Sequence, residues 1–394
     1  MTEARRLAFL APRYSEKGTI GGAETLLRAL AERCARAGRS VDLLTTCASD
    51  HFTWKNDRPA GVKTVNGVTI HFFPVNEDRD VATFLRIQAA IDKGVPLSPE
   101  EERLWITNSV NSRALMDHLA AHASGYDRIV AGPYLFGITW SAVMRYADKA
   151  ILVPCLHDEP FAYLGIMKKM FLAARGIMFN SAPERALAAR LYGIDLAKTS
   201  VVGMGLDPFD SDPRATAETL GIRAPYAMYS GRREPLKGTP LLCEYLNVFR
   251  ERTGINLHLV LTGSGPIDAP ESLRPVIHDL GFVSEKEKHD AMAGAAVFIH
   301  PSVNESFGIV LLEAWLAGTP ALVHARSEVL RDHVRRSNGG LWFKHYAHFE
   351  EALSRLLADE PLRRALGEAG RAYVLREYSW AAVERRLFEA LDRP

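Results

Sequence analysis

Short apolar runs without alternation recur along the first half of the chain: RLAFLAP (6–12), SVDLLTT (40–46), VTIHFFP (68–74), RIVAGP (128–133), AILVPC (150–155), GIMFNS (176–181) and SVVGMGLD (200–207). A second series follows: YAMYSG (226–231), LHLVLTGSGP (257–266), VIHDLGFVS (276–284), AAVFIHPS (295–302) and PALV (320–323). Continuous apolar stretches of this length predict strands buried on both faces, as in parallel sheets. Between them run helical patterns. They are clearest from Ala23 to about Ala37, at 82–91 and 102–122, from about Phe307 to Ala317, and from about Phe349 onward. Strand, glycine loop, helix, strand is the order of a doubly wound α/β fold.

Length turns one fold into two. A chain of 394 residues exceeds one ordinary core and suits two domains of just under 200 residues each. Residues 1–205 form the first, 206–375 the second, and 376–394 a terminal helix. The formal charge of +1 gives no global reason to expect nucleic acid. The first 205 residues carry 25 basic against 21 acidic side chains and the remainder 23 against 26, a mild asymmetry. Cys34, Cys47, Cys155 and Cys243 lack metal-like spacing and read as reduced thiols of a cytosolic protein. The start of the chain lacks a signal-like apolar stretch, and no apolar run approaches the ~18 residues of a membrane span.

Chemistry concentrates in HPSVNESFGIVLLEAWLAGTPALV (300–323). Here a buried strand leads into a helix that Ser306 is placed to cap and Gly318 to end. The amides of Phe307, Gly308 and Ile309 at the helix start would seat phosphate oxygens. Glu305 at the mouth and Glu313 within the helix suit sugar hydroxyls, because carboxylates are strong acceptors. The plainer alternative is a serine-capped helix with solvated or salt-bridged glutamates. Upstream, Gly231, Arg232 and Lys237 stand in a glycine-bounded loop after a strand, two cations suited to a diphosphate or simply solvated. Gly21-Gly22 precede the first long helix, where a ligand could approach the backbone. His157, Asp158 and Glu159 follow the carboxyl end of a strand, the edge at which open α/β sheets bind ligands. His157 is the stronger candidate. Phe52, Trp54 and Trp105 are either sugar-stacking or lipid-facing aromatics or core. DxD patterns at Asp78–Asp80 and Asp210–Asp212 fall in loops away from these groups, so no metal is expected.

Glu305 and Glu313 stand eight apart, and the chain resembles the family 4 glycosyltransferases through this E-x7-E motif. Further resemblances are the unchanged G-R-x4-K-G pattern at Gly231–Gly238, the GGAE run at 21–24, and GMGLD (203–207) where the family often reads GNGVD. EAWLAGTPALV departs from the family's usual EAMACGxPVV, with Trp315 and Leu316 expected to face helix packing. The resemblance spans nearly the whole chain. It implies the GT-B fold: two doubly wound Rossmann-like domains facing a cleft, the terminal helix crossing back, and hinge closure near Gly203–Pro208. It implies a retaining, metal-independent transferase without a cofactor, moving a hexose from a UDP- or GDP-sugar to a hydroxyl acceptor such as a glycan or lipid-linked saccharide. Glu313 would hold the ribose, Glu305 and His157 would lie near the donor sugar, and the backbone around Phe282 and Val283 would hold the base. Ser306, Phe307, Gly308, Ile309, Arg232 and Lys237 would surround the diphosphate. The alternatives are a sugar-nucleotide epimerase and a non-catalytic partner that binds the same ligand. Lys168, Lys169 and Arg175, interleaved with Met167, Met170 and Phe171, are either a peripheral membrane contact or an ordinary packed helix.

Overall fold

The computed structural model describes residues 5–16 and 21–393. The chain divides into two compact units, Met1–Met204 with Glu384–Pro394, and Gly205–Val383. The expected terminal segment 376–394 is thus split between them. Its first part is tied to the second unit, where Leu206 N–H donates to the Tyr378 carbonyl at 2.8 Å and Gly205 lies against Trp380. Its last part belongs to the first unit, where Arg386 donates to the Val202 carbonyl at 3.1 Å.

The first unit holds an eight-stranded sheet. Its elements begin with β1 (Arg6–Leu10), α1 (Gly22–Arg36), β2 (Ser40–Thr46), β3 (Gly61–Val65) and β4 (Val68–Phe73). Three helices follow, α2 (Val81–Asp92), α3 (Pro99–Asn108) and α4 (Arg113–His122). Then come β5 (Arg128–Ala131), α5 (Gly137–Arg145), β6 (Ala150–Leu152), α6 (Gly165–Ala173), β7 (Gly176–Phe179), α7 (Ala182–Tyr192) and β8 (Thr199–Val201). The strand order is β3-β4-β2-β1-β5-β6-β7-β8, parallel except for β3 against β4. The β3–β4 hairpin turns at Asn66-Gly67, both with positive φ, the short-range hairpin signal of an Asn-Gly pair. The single helical stretch expected at 102–122 is two helices, each started by its own serine. Ser98 and Glu101 form a reciprocal capping box, and Ser112 accepts from Leu115 N–H. Trp105 is core, 2% exposed and stacked between Phe84 and Phe161.

The second unit opens with α8 (Ala215–Leu220), β9 (Tyr226–Ser230), α9 (Thr239–Thr253), β10 (His258–Thr262), β11 (Ile277–Asp279) and α10 (Glu285–Gly294). It continues through β12 (Val297–His300), α11 (Ile309–Leu316), β13 (Ala321–His324), α12 (Glu328–Ser337), β14 (Gly340–Phe343), α13 (Tyr346–Ala358), α14 (Glu360–Glu377) and α15 (Trp380–Asp392). Its six strands are all parallel, in the order β11-β10-β9-β12-β13-β14. β12 and β13 are buried at every position, as their unbroken apolar runs require.

The position of α11 depends on a close fit with α14. Trp315 is fully buried, and its indole N–H donates to the Gly339 carbonyl at 2.7 Å. Two glycines one turn apart on α14 leave room for α11 and its end. A methyl at Gly370 would lie 2.4 Å from the Trp315 ring, and one at Gly367 would lie 2.0 Å from the Gly318 carbonyl. Alanine gains roughly 1 kcal/mol over glycine inside a helix, but overpacking costs about 1–3 kcal/mol. Gly370→Ala is therefore expected to lower the stability of the second unit by up to about 2 kcal/mol in urea titrations. A stabilised variant would contradict this account of how α11 is held.

Candidate functional site

In the second sheet the chain reverses direction of winding between β9 and β12, which pair side by side. Loops leaving the carboxyl ends of two such strands diverge and open a crevice, where ligands bind in doubly wound sheets. Here two loops meet at that place. The loop after β9 carries Gly231, Arg232 and Lys237, and the loop after β12 carries Glu305 to Gly308. Lys237 Nζ donates to Glu305 Oε1 at 2.7 Å, both side chains being largely shielded. The backbones also approach closely, since a methyl on Gly238 would lie 2.6 Å from the Pro301 carbonyl. Behind the pair, His300 is fully buried with Nε2 3.7 Å from Glu305. Burial lowers its pKa to about 4, so its imidazole is neutral near pH 7.

Gly308, not Ser306, is the residue before the helix. It has φ 80°, a left-handed conformation that glycine adopts without strain. Ser306 does not cap, and α11 begins two residues later than expected because the chain turns sharply there while Phe307 packs against His333 and Tyr378. The first amides of α11, beginning at Ile309, remain available to an anion.

Glu313 lies on α11 opposite a partner that its surroundings in sequence did not reveal. Lys288 of α10 reaches it at 3.0 Å and also donates to Glu285 at 2.7 Å. EKEKHD reads as a solvated helical face, yet the Lys288 side chain is only 13% exposed. Burial raises the Glu313 pKa, and the ammonium of Lys288 opposes that shift. Glu285, His289 and Glu313 present ligand atoms within 4.8 Å of one another. Their centre is already served by the Lys288 ammonium, and His289 stacks on Phe209. Three acids of the two DxD patterns have partners within the fold. Asp78 pairs with Arg113, Asp80 caps α2, and Asp212 accepts from Arg214 N–H.

Other candidate residues of this unit lie around the same edge. Arg232 is exposed and pairs with Glu234 at 3.0 Å. Its neighbour Arg233 is buried and donates to the carbonyls of Gly263 and Gly265 and to Asp279, tying the β10 loop to the β9 loop. The structural role of Arg233 depends on the β10 loop, which is distant in sequence. Phe282 and Val283 lie between β11 and α10, with Phe282 82% exposed.

In the first unit, His157 lies past the carboxyl end of β6, half-buried, with Nδ1 3.8 Å from Glu159. Glu159 accepts from the Tyr134 hydroxyl at 2.7 Å, and Asp158 pairs with Arg190 and Tyr163. The loop is anchored by Glu184 of α7, which accepts from Leu156 N–H at 2.7 Å and from Asn180 N–H at 2.6 Å. Gly21 precedes α1 and Gly22 begins it; the preceding loop residues 17–20 lie outside the described residues. A methyl on Gly21 would strike Glu24, which forms a buried pair with Arg13 at 2.6 Å. Trp54 lies under the Arg13 guanidinium and against Phe136, whereas Phe52 is 78% exposed. Around Lys168 and Arg175, Met167, Met170 and Phe171 are core, whereas Lys168, Lys169 and Leu172 face outward. Among the described residues no helix is long and apolar enough to cross a membrane.

Residues 217–373 match the family described as glycosyl transferases group 1. A D-inositol 3-phosphate glycosyltransferase of Stackebrandtia nassauensis is 25% identical, covering 92% of this chain and 85% of that protein. Its namesake from Streptomyces avermitilis is 29% identical over 66% of this chain and 64% of its own length. Among solved structures, sucrose-phosphate synthase from Thermosynechococcus elongatus superposes with a TM-score of 0.73 at 19% identity, covering 98% of this chain and all of that one. HepE of Anabaena, crystallised with UDP and glucose, gives 0.69 at 16% identity over 98% of this chain and 99% of its own.

Two substitutions test the supports of this geometry. Glu184→Ala would orphan two buried N–H groups at about 1–3 kcal/mol each, and should lower stability in chemical denaturation accordingly; an unchanged midpoint would deny its anchoring role. Lys288→Met would leave Glu313 buried without its counter-ion, raising a carboxyl pKa that already exceeds its ordinary 4.5. An acid with a raised folded pKa loses stability as pH rises above its unfolded value. The deficit of Lys288→Met should therefore be small below pH 4.5 and grow toward about 3–5 kcal/mol at neutral pH. A deficit independent of pH would contradict the pairing.

Proposed function

For a chain whose residues 217–373 match the group 1 glycosyltransferases and whose fold is GT-B, we propose transfer of a hexose, with retention, from a nucleotide diphosphate sugar to a hydroxyl acceptor. The observation that carries this reading is Lys237, held by Glu305 at 2.7 Å beside the start of α11 at the switch point of the second sheet. As the bond from the anomeric carbon to the diphosphate oxygen breaks, its electron pair leaves with the diphosphate. Lys237, Arg232 and the first α11 amides would stabilise the charge that develops there. The acceptor oxygen bonds to the anomeric carbon and gives up its proton, for which the departing diphosphate oxygen is an acceptor.

Glu313 would take the ribose hydroxyls, Phe282 and Val283 would border the base, and Glu305 would lie nearer the sugar. His157 keeps the role its resemblance implies, a hydrogen bond to the donor sugar. UDP is the first nucleotide to test, since HepE was crystallised with UDP and glucose. The relatives' name makes D-inositol 3-phosphate the first acceptor to test, ahead of glycans and lipid-linked saccharides.

The test is incubation with UDP-, GDP-, ADP- and TDP-hexoses and these acceptors, with proton NMR of the products. A new glycoside of retained anomeric configuration is expected, and Lys237→Ala should reduce kcat/KM by roughly a hundred-fold or more. Calorimetric binding of nucleotide sugar without turnover of any acceptor would replace this reading with that of a non-catalytic sugar-nucleotide binder.

A further inference from the structure

A groove of about 440 Å³ opens in the first unit at the amino ends of β5, β6, β7 and β8, the sheet edge opposite the His157 loop. It is lined by Arg128, Arg175, Lys198 and Arg393, with Asp148 as its one acidic side chain. The guanidinium groups are held in place by oxygens that carry no net charge. Arg128 donates to the carbonyls of Asp127 and Arg393 at 2.9 and 2.7 Å, and Arg175 to the Asp148 carbonyl at 3.1 Å. Arg393 donates to the Ala197 carbonyl at 2.7 Å and to Ser200 Oγ at 3.2 Å. The nearby carboxylate of Asp392 is engaged elsewhere, by Arg5 at 2.9 Å and Arg39 at 2.8 Å. Three guanidinium groups, oriented by uncharged oxygens, thus converge with Lys198 on a concavity, and among the described residues none of the four is in an ion pair. Their mutual repulsion is visible at Arg128, whose pKa is lowered by burial and then by Arg175.

We propose that this groove binds a small soluble anion bearing two or more linked phosphates, at a site separate from the donor-sugar chemistry. Arginine forks suit phosphate oxygens in bidentate geometry, and lysine adds a point charge. The volume lies within the range of small-molecule sites, about 300–1,000 Å³. It leaves room beyond a single phosphate, and four cations balance more charge than one phosphate carries.

Inorganic tripolyphosphate is the probe, titrated calorimetrically into Lys237→Ala protein so that the candidate donor site is weakened throughout. Saturable binding is expected in that background. Adding Arg175→Ala and Lys198→Glu should weaken it at least ten-fold, with thermal melting in the absence of the anion as the folding control. If the double change lowers that melting temperature, Lys198→Glu alone decides, since Lys198 is an exposed side chain beside β8. Absence of saturable binding in the Lys237→Ala protein would overturn the proposal, as would binding that the groove substitutions leave unchanged.

Discussion

The ion pair of Lys237 and Glu305 is the constraint on which the geometry of the second unit's candidate site depends. It draws together two loops that a doubly wound sheet would otherwise send apart, because β9 and β12 are neighbours whose following chain turns to opposite sides. Gly238 against Pro301 lets the backbones meet, and Gly308 turns the chain so that α11 begins at the same place. Helix amides, an ammonium and a carboxylate are thereby collected within a small volume before any ligand arrives. Preorganised groups of this kind act on charge developing in a transition state without further reorganisation.

A second pair, Lys288 with Glu313, repeats the arrangement further along α11. In both, a glutamate that resembles a donor-binding residue is met by a lysine from another loop or helix. A buried carboxylate without a partner would take up a proton, and a neutral carboxyl is a poorer acceptor for hydroxyl donors. Lys288 counters that tendency at Glu313, where burial pushes the other way. Trp315 and the two glycines of α14 then hold α11 in place, so packing far from the polar groups fixes where Glu313 points.

Much of this was legible in the residues. Unbroken apolar runs located nearly all the parallel strands, and the spacing of Glu305, Glu313, Gly231 and Lys237 placed them on the loops and helix where they stand. What was missed shares a physical cause: it depends on partners distant in sequence. Arg233 looks like a second surface cation beside Arg232 until the Gly263–Gly265 turn is folded against it. Lys288 looks solvated until α10 packs beside α11, and Glu184 looks like a first-turn acid until it reaches the β6 loop. Ser306 failed as a cap for a local reason, since the glycine two residues on supplied a sharper turn. The interleaved lysines and methionines of α6 separate in the fold, with Met167, Met170 and Phe171 buried and Lys168 and Lys169 outward.

The central claim is a division of labour between the two glutamates, and calorimetry with a nucleoside diphosphate tests it most directly. A hydrogen bond to a charged carboxylate contributes about 1.5–3 kcal/mol, so Glu313→Ala should weaken diphosphate binding by roughly ten- to a hundred-fold. Glu305→Ala should bind the same ligand nearly as the parent protein does, its loss appearing in turnover instead. If Glu305→Ala loses affinity while Glu313→Ala keeps it, the roles are reversed. If both variants bind and turn over like the parent, the two ion pairs serve only the fold, and the account of the site is wrong.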